Sequence, residues 1–281
     1  MPLVNGCDQL REARDKGHAL FSVVGGNLEM VLGSIQAAEE KQSPLILLYV
    51  SGIFTQIPMK HGLPVILNAA EASTVPVAAA VLEKGPDLSR IEKALELGAK
   101  RIMFDCSHLA FEDNVAATRK AVERAGAYGA GVEGRLGGMA ENNGRTSDMT
   151  DPEKAAEFAV RTNVDSLGIS FGNTVGAYEG GPNFDFDRLC HIREHADVPL
   201  VMHGGSGLEK EDYRALTRQG ISWFCCYSTL SRGAVEAIGQ SIHEDSDKTV
   251  LYHDLIHRAK EYFYSSTLEM IEKIGCSGKA S

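Results

Sequence analysis

The run Val201-Met202-His203-Gly204-Gly205-Ser206-Gly207 joins an apolar, strand-like segment (199–202) to a histidine and a loop with three glycines, and a helical pattern follows at 210–218. Glycines let backbone N–H groups converge on an anion. The histidine adds a proton carrier or a donor to substrate oxygen at the same spot. Where strands and helices alternate around a barrel, such a junction lies on the catalytic face. One histidine beside one anion cradle points to a phosphorylated small molecule as ligand.

Polar residues also end the other strand-like segments. Glu83-Lys84-Gly85 follows the third, Asp105-Cys106-Ser107-His108 the fourth and Glu133-Gly134-Arg135 the fifth. Ser170 to Gly176 follows the sixth, and Cys225-Cys226-Tyr227-Ser228-Thr229 closes the eighth. In a strand only one of Cys225 and Cys226 can face the interior. His191, His195, His253 and His257 fall on helical patterns and read as packed or solvated side chains. His108, Asp113 and Asn114 read as residues that serve the fold around a loop and a helix start.

The elements that must position these groups are short apolar runs alternating with amphipathic ones. Strands are expected at 19–24, 44–50, 75–82, 101–104, 129–133, 165–170, 199–202 and 221–226. Helices are expected at 27–41, 64–72, 88–97, 111–125, 184–195, 210–218 and 231–243, with one more opened by the cap Thr150-Asp151-Pro152-Glu153. Nearly all-apolar strands imply a parallel sheet covered on both faces. Right-handed crossovers then allow closure as a single (β/α)8 barrel over residues 1–281, with an extra C-terminal helix at about 250–274. A doubly wound open sheet is the alternative, but Val24-Gly25-Gly26-Asn27 does not supply its usual glycine fingerprint.

A net charge of −10 argues against nucleic acid or an anionic membrane as partner. No apolar run approaches a membrane span, and no leader pattern opens the chain. Six cysteines without CxxC spacing read as reduced thiols, so a cytoplasmic protein is expected.

The order of several segments resembles the class II fructose-bisphosphate/tagatose-bisphosphate aldolase family over essentially the whole chain. The carrying residues are Asp105-Cys106-Ser107-His108-Leu109 with Phe111-Glu112-Asp113-Asn114, then Val132-Glu133, Thr150 to Glu153, Ser170 to Asn173, Val201 to Gly207 and the tail Cys276 to Ala280. The resemblance implies an aldol lyase acting on a ketose phosphate, and a homodimer or homotetramer. It also implies a zinc ion on three histidines that polarises a carbonyl, and a carboxylate after the third strand that handles a proton. Phosphate would be held by Gly176, Gly204, Gly205, Ser206, Ser228 and Thr229.

The chain departs from that pattern where the metal should sit. Lys84 stands at one expected zinc histidine and Val175 at another, so His203 is the only retained ligand. Arg135 replaces a glutamate, and Cys225-Cys226-Tyr227-Ser228 replaces Asn-x-Asp-Thr. Zinc normally needs three protein ligands, so no metal cofactor is expected. Three readings of Glu83, Lys84, Arg135 and His203 stay open. Fixed cations replace the metal as electrophile with Glu83 as acid/base. Alternatively, Glu83, Lys84, Arg135 and Glu133 form an ion-pair network that fills the vacated site. The third is a Schiff base on Lys84. At the level of function, a metal-independent lyase stands against a sugar-phosphate-binding protein without turnover.

Overall fold

The computed structural model describes residues 2–138, 140–141, 148–176, 178, 180–244 and 250–280. Eight parallel strands close a barrel: β1 (Leu20–Val24), β2 (Leu45–Val50), β3 (Val77–Lys84), β4 (Arg101–Asp105), β5 (Gly131–Arg135), β6 (Ser166–Gly168), β7 (Leu200–His203) and β8 (Ile221–Cys226). Each strand pairs with the next, and β8 returns to β1 with Cys225 opposite Ser22. Helices α1 (Leu28–Glu40), α2 (Met59–Ala72), α3 (Leu88–Glu96), α4 (Phe111–Gly126), α5 (Pro152–Thr162), α6 (Phe186–His195), α7 (Lys210–Arg218) and α8 (Ser228–Glu244) follow the strands in turn. The fold is a (β/α)8 barrel, with a further C-terminal helix α9 (Tyr252–Ile274).

Strand alternation builds two apolar regions. Val77, Ala79 and Val81 of β3 face outward into the layer between strands and helices. Ala78 and Ala80 face inward with Leu20, Ile46, Leu48, Val201 and Trp223. The interior is divided by side-chain chemistry. β1 to β3 contribute mainly aliphatic residues, whereas Arg101, Asp105, Glu133, Arg135, Ser166 and His203 of β4 to β7 are buried polar groups. At the lower end, Arg101 stacks over the Trp223 ring at 5.2 Å and donates to Ser166.

An N-terminal helix, Cys7–Lys16, and a short strand, Leu3–Val4, close that lower end; neither is expected from the sequence pattern. Leu10 and Ala13 of the helix enter the interior apolar cluster. Only three of its ten residues are buried, so its apolar stripe is thin for a periodicity signal. Several boundaries also move. α2 begins at Met59, ahead of its internal Pro64, β6 ends at Gly168 rather than 170, and α8 opens at Ser228 rather than 231.

α9 packs on α1 of the same chain. Gly33 makes this possible, because a Cβ there would stand 2.5 Å from the Lys260 carbonyl oxygen. Thr267 then donates to Ser34 at 3.2 Å across the contact. No helix among the described residues is long and apolar enough to cross a membrane.

Candidate functional site

A cavity of about 580 Å³ opens at the C-terminal ends of the strands. Its lining unites Glu83, Arg135 and His203 with Gly176, Gly204, Ser206 and Ser228. Gly205 and Thr229 are not among the lining residues. The Gly205 N–H already donates to the Cys225 carbonyl at 3.0 Å, so it ties β7 to β8 instead of facing an anion. Lys84 ends β3 with its Cα paired to that of Asp105; its side chain lies outside the described atoms.

The glycine loop is shaped by local constraints. Gly204 has φ +78°, and a Cβ there would come within 2.0 Å of the Thr174 carbonyl oxygen. Only glycine fits both the backbone angle and the approach. Tyr178 donates to the Gly204 carbonyl at 2.7 Å, and the Ser206 hydroxyl accepts from the Tyr227 N–H at 2.9 Å. Asn173 reaches across to the His203 carbonyl at 2.9 Å, fixing the end of β7. Ser228 opens the long helix α8, whose N-terminus adds positive potential to this side.

The charged groups pair differently from the expected network. Glu83 accepts from Ser51 and forms an ion pair with Arg90, whose Nε lies 3.0 Å from Oε2. His203 Nε2 lies 2.7 Å from Glu133 Oε1, and Cys225 Sγ lies 3.8 Å from the same nitrogen. Arg135 faces Asp105, with Nε 3.7 Å from Oδ2. Thus Arg90, Asp105 and Ser51 complete the site, and the sequence reading missed all three as site residues. Parity carries part of the missing signal: Glu133 and Arg135 share a face two residues apart, and Asp105 lies at the same end of β4.

Arg135 is the unusual member. It is 1% exposed, and Nε, Nη1 and Nη2 all lack a hydrogen-bond partner. Its backbone is well held, since Asn114 of α4 donates to its carbonyl at 2.9 Å. The side chain lines the cavity while its nitrogens are covered, so the guanidinium holds unspent N–H donors beside whatever enters.

Two carboxyls are shifted in opposite directions. Burial raises Glu83 above its ordinary value, against the bond from Ser51 and the charge of Arg90. Burial also presses Asp105 upward, but Arg135 and two bonds from Ser107 outweigh it and hold the carboxyl low. Burial lifts the Cys226 thiol to about 12 and raises Cys225 as well, so neither is a ready thiolate. Cys226 points outward from the barrel and donates to the Gly205 carbonyl at 3.4 Å, while Cys225 faces in.

A model of the class-II fructose-bisphosphate aldolase family matches residues 4–279. The chain belongs to this family. YdjI of Escherichia coli K12, an uncharacterized protein, is 30% identical over 274 residues, spanning 96% of each chain. The solved structure of the YdjI aldolase superposes with a TM-score of 0.88, covering 99% of this chain and 100% of that one. A putative fructose-1,6-biphosphate aldolase from Coccidioides immitis superposes with a TM-score of 0.86 at 25% identity, covering 98% of each.

The class-II aldolase resemblance implies zinc on three histidines, and at two of the positions it points to the chain has Lys84 and Val175. A protonated lysine and a valine at positions 84 and 175 offer no lone pair for a metal. Among the described residues no three His, Cys, Asp or Glu side chains are grouped to hold an ion. At His203, where the resemblance implies the third ligand, Nε2 is engaged with Glu133.

Proposed function

We propose that this class-II aldolase relative makes or breaks a carbon–carbon bond in a ketose phosphate without the family's zinc. The carrying observation is Arg135, a buried guanidinium without hydrogen-bond partners in the same cavity as Glu83 and the glycine loop. Phosphate binds at Gly176, Gly204, Ser206 and Ser228. Glu83 takes the proton of the hydroxyl on the fourth carbon, and the bond between the third and fourth carbons breaks to release an aldehyde. The electron pair moves onto the substrate carbonyl oxygen as an enediolate, opposite Arg135. The proton held by Glu83 returns to the third carbon and completes a dihydroxyacetone-phosphate-like product. His203, held by Glu133, donates to a substrate oxygen, and Lys84 adds positive charge at the end of β3. The setting is cytoplasmic, a reading supported by six cysteines that are all free, and the assembly is the homo-oligomer that the resemblance implies.

The engagement of His203 by Glu133 and of Glu83 by Arg90 favours a second reading, ligand binding without turnover. A coupled assay for dihydroxyacetone phosphate over a panel of ketose phosphates, with a chelator present, separates the two. Turnover in chelator is expected. Saturable binding without turnover supports the second reading, and activity that disappears with chelator and returns with zinc refutes the metal-free route.

A further inference from the structure

The cavity has two unlike halves. Its anion-binding half comes from the ends of β6 to β8. The half built by β1 to β4 is walled by Val24, Leu48, Val50, Leu82 and Met103. Val24 is 5% exposed, Val50 8% and Met103 1%, so these side chains are the wall itself and not an outer rim. Of the polar groups beside this wall, Ser51 donates to Glu83 and Arg90 pairs with the same carboxylate through Nε, while Thr55 also lines the cavity. At position 225, on the neighbouring strand, the chain offers a thiol, a weak donor and acceptor and so a poor partner for a hydroxyl.

A polyhydroxylated chain lying along this wall would lose its bonds to water and find few in return. Each hydroxyl left so would weaken binding about fivefold or more. A hydrocarbon chain would gain from the same burial. We propose that the aldehyde-forming half of the substrate is hydrocarbon: the cavity takes a ketose phosphate whose chain beyond the reacting carbons carries no hydroxyl groups. This rests on the phosphate-binding reading given above and narrows it to a substrate class. The specificity-determining residues are Leu48 and Val50 of β2 and Leu82 of β3.

Calorimetric titration of the full-length protein with n-hexyl phosphate and with sorbitol 6-phosphate tests this without requiring turnover. The two esters share a six-carbon skeleton and a charged head. The hexyl ester is expected to bind about tenfold tighter or more. Val50→Thr, which keeps side-chain shape and adds a hydroxyl, is expected to narrow that gap by about threefold. Equal affinities, or tighter binding of the sorbitol ester, overturn the proposal while leaving the phosphate-binding reading intact. If neither ester binds at millimolar concentration, the proposal and that reading fall together.

Discussion

Replacing Glu83 with glutamine tests the proposed chemistry most directly. The amide keeps the size of the carboxylate and keeps an oxygen to accept from Ser51, so the local fold has little reason to change. It removes the charge opposite Arg90, whose side chain is 53% exposed. A pair screened in that way is worth about 0–1 kcal/mol. Against this stands the burial that raises Glu83 above 4.5. A carboxyl with a raised folded value gives stability that is present below its unfolded value and lost as pH climbs through the folded one. At neutral pH the wild type therefore carries a penalty that the variant lacks. The two terms oppose each other, so unfolding of Glu83→Gln in urea at pH 7 is expected to match the wild type within about 1 kcal/mol. At pH 4 the comparison shifts in favour of the wild type. Activity is expected to behave quite differently. Loss of a general base lowers kcat by about 10²- to 10⁴-fold. The ascending limb of the pH–rate profile, set by Glu83 in the wild type, disappears. A variant that keeps kcat within tenfold of wild type, or that keeps the ascending limb, refutes the assignment of the base.

Three further outcomes are expected. Arg135→Met should lower kcat by about 10²- to 10³-fold with little change in KM, measured by steady-state kinetics, because the guanidinium opposes charge that develops only during reaction. Asp105→Asn should destabilise the protein at pH 7 by about 3 kcal/mol, since it leaves the Arg135 charge buried without its partner. Asp105 lies below 3.8 in the folded protein, so its contribution is present above that value and lost as pH falls through the folded one. The difference between the two proteins in urea melts should therefore shrink in acid. Gly204→Ala should cost about 1–3 kcal/mol in the same melts and weaken inorganic phosphate binding, because φ +78° and the Thr174 carbonyl both oppose a Cβ.

The barrel was legible because its signal is repeated. Strands such as Leu45–Val50, apolar at every position, and helices with well-marked caps recur around the chain. An error of two residues in one strand does not alter the closure. The N-terminal helix gave no such signal, because Leu10, Ala13 and Cys7 are its only buried residues. The glycine loop was legible in part. Gly204 and Gly176 line the cavity, but the use of the Gly205 N–H by Cys225 depends on β7 and β8 lying side by side. Spacing along the chain does not carry that information.

The charge pairing was not legible, for a related reason. Sequence order places Glu83, Lys84, Glu133 and Arg135 at strand ends and leaves their mutual distances undetermined. In the barrel, Glu83 turns to Ser51 and Arg90 on the β2 and β3 side, while Arg135 faces Asp105 on the β4 and β5 side. These partners come from different elements, so neither pair shows as neighbours in the sequence. The separation matters for chemistry. A direct bridge between Glu83 and Arg135 would tie the two side chains to each other and close the space between them. Held apart by partners of their own, with Arg135 lacking hydrogen bonds, they leave between them the space in which a hydroxyl proton and a carbonyl oxygen can be addressed separately. A double-mutant cycle of Glu83→Gln and Arg135→Met measures that independence. In unfolding free energy the two effects should add within about 0.5 kcal/mol, as for groups without shared partners. In kcat the pair should cost less than the sum, because both act on one reaction step. Strong coupling in stability would mean that the two groups contact each other in solution, and the separated-charge mechanism would fail.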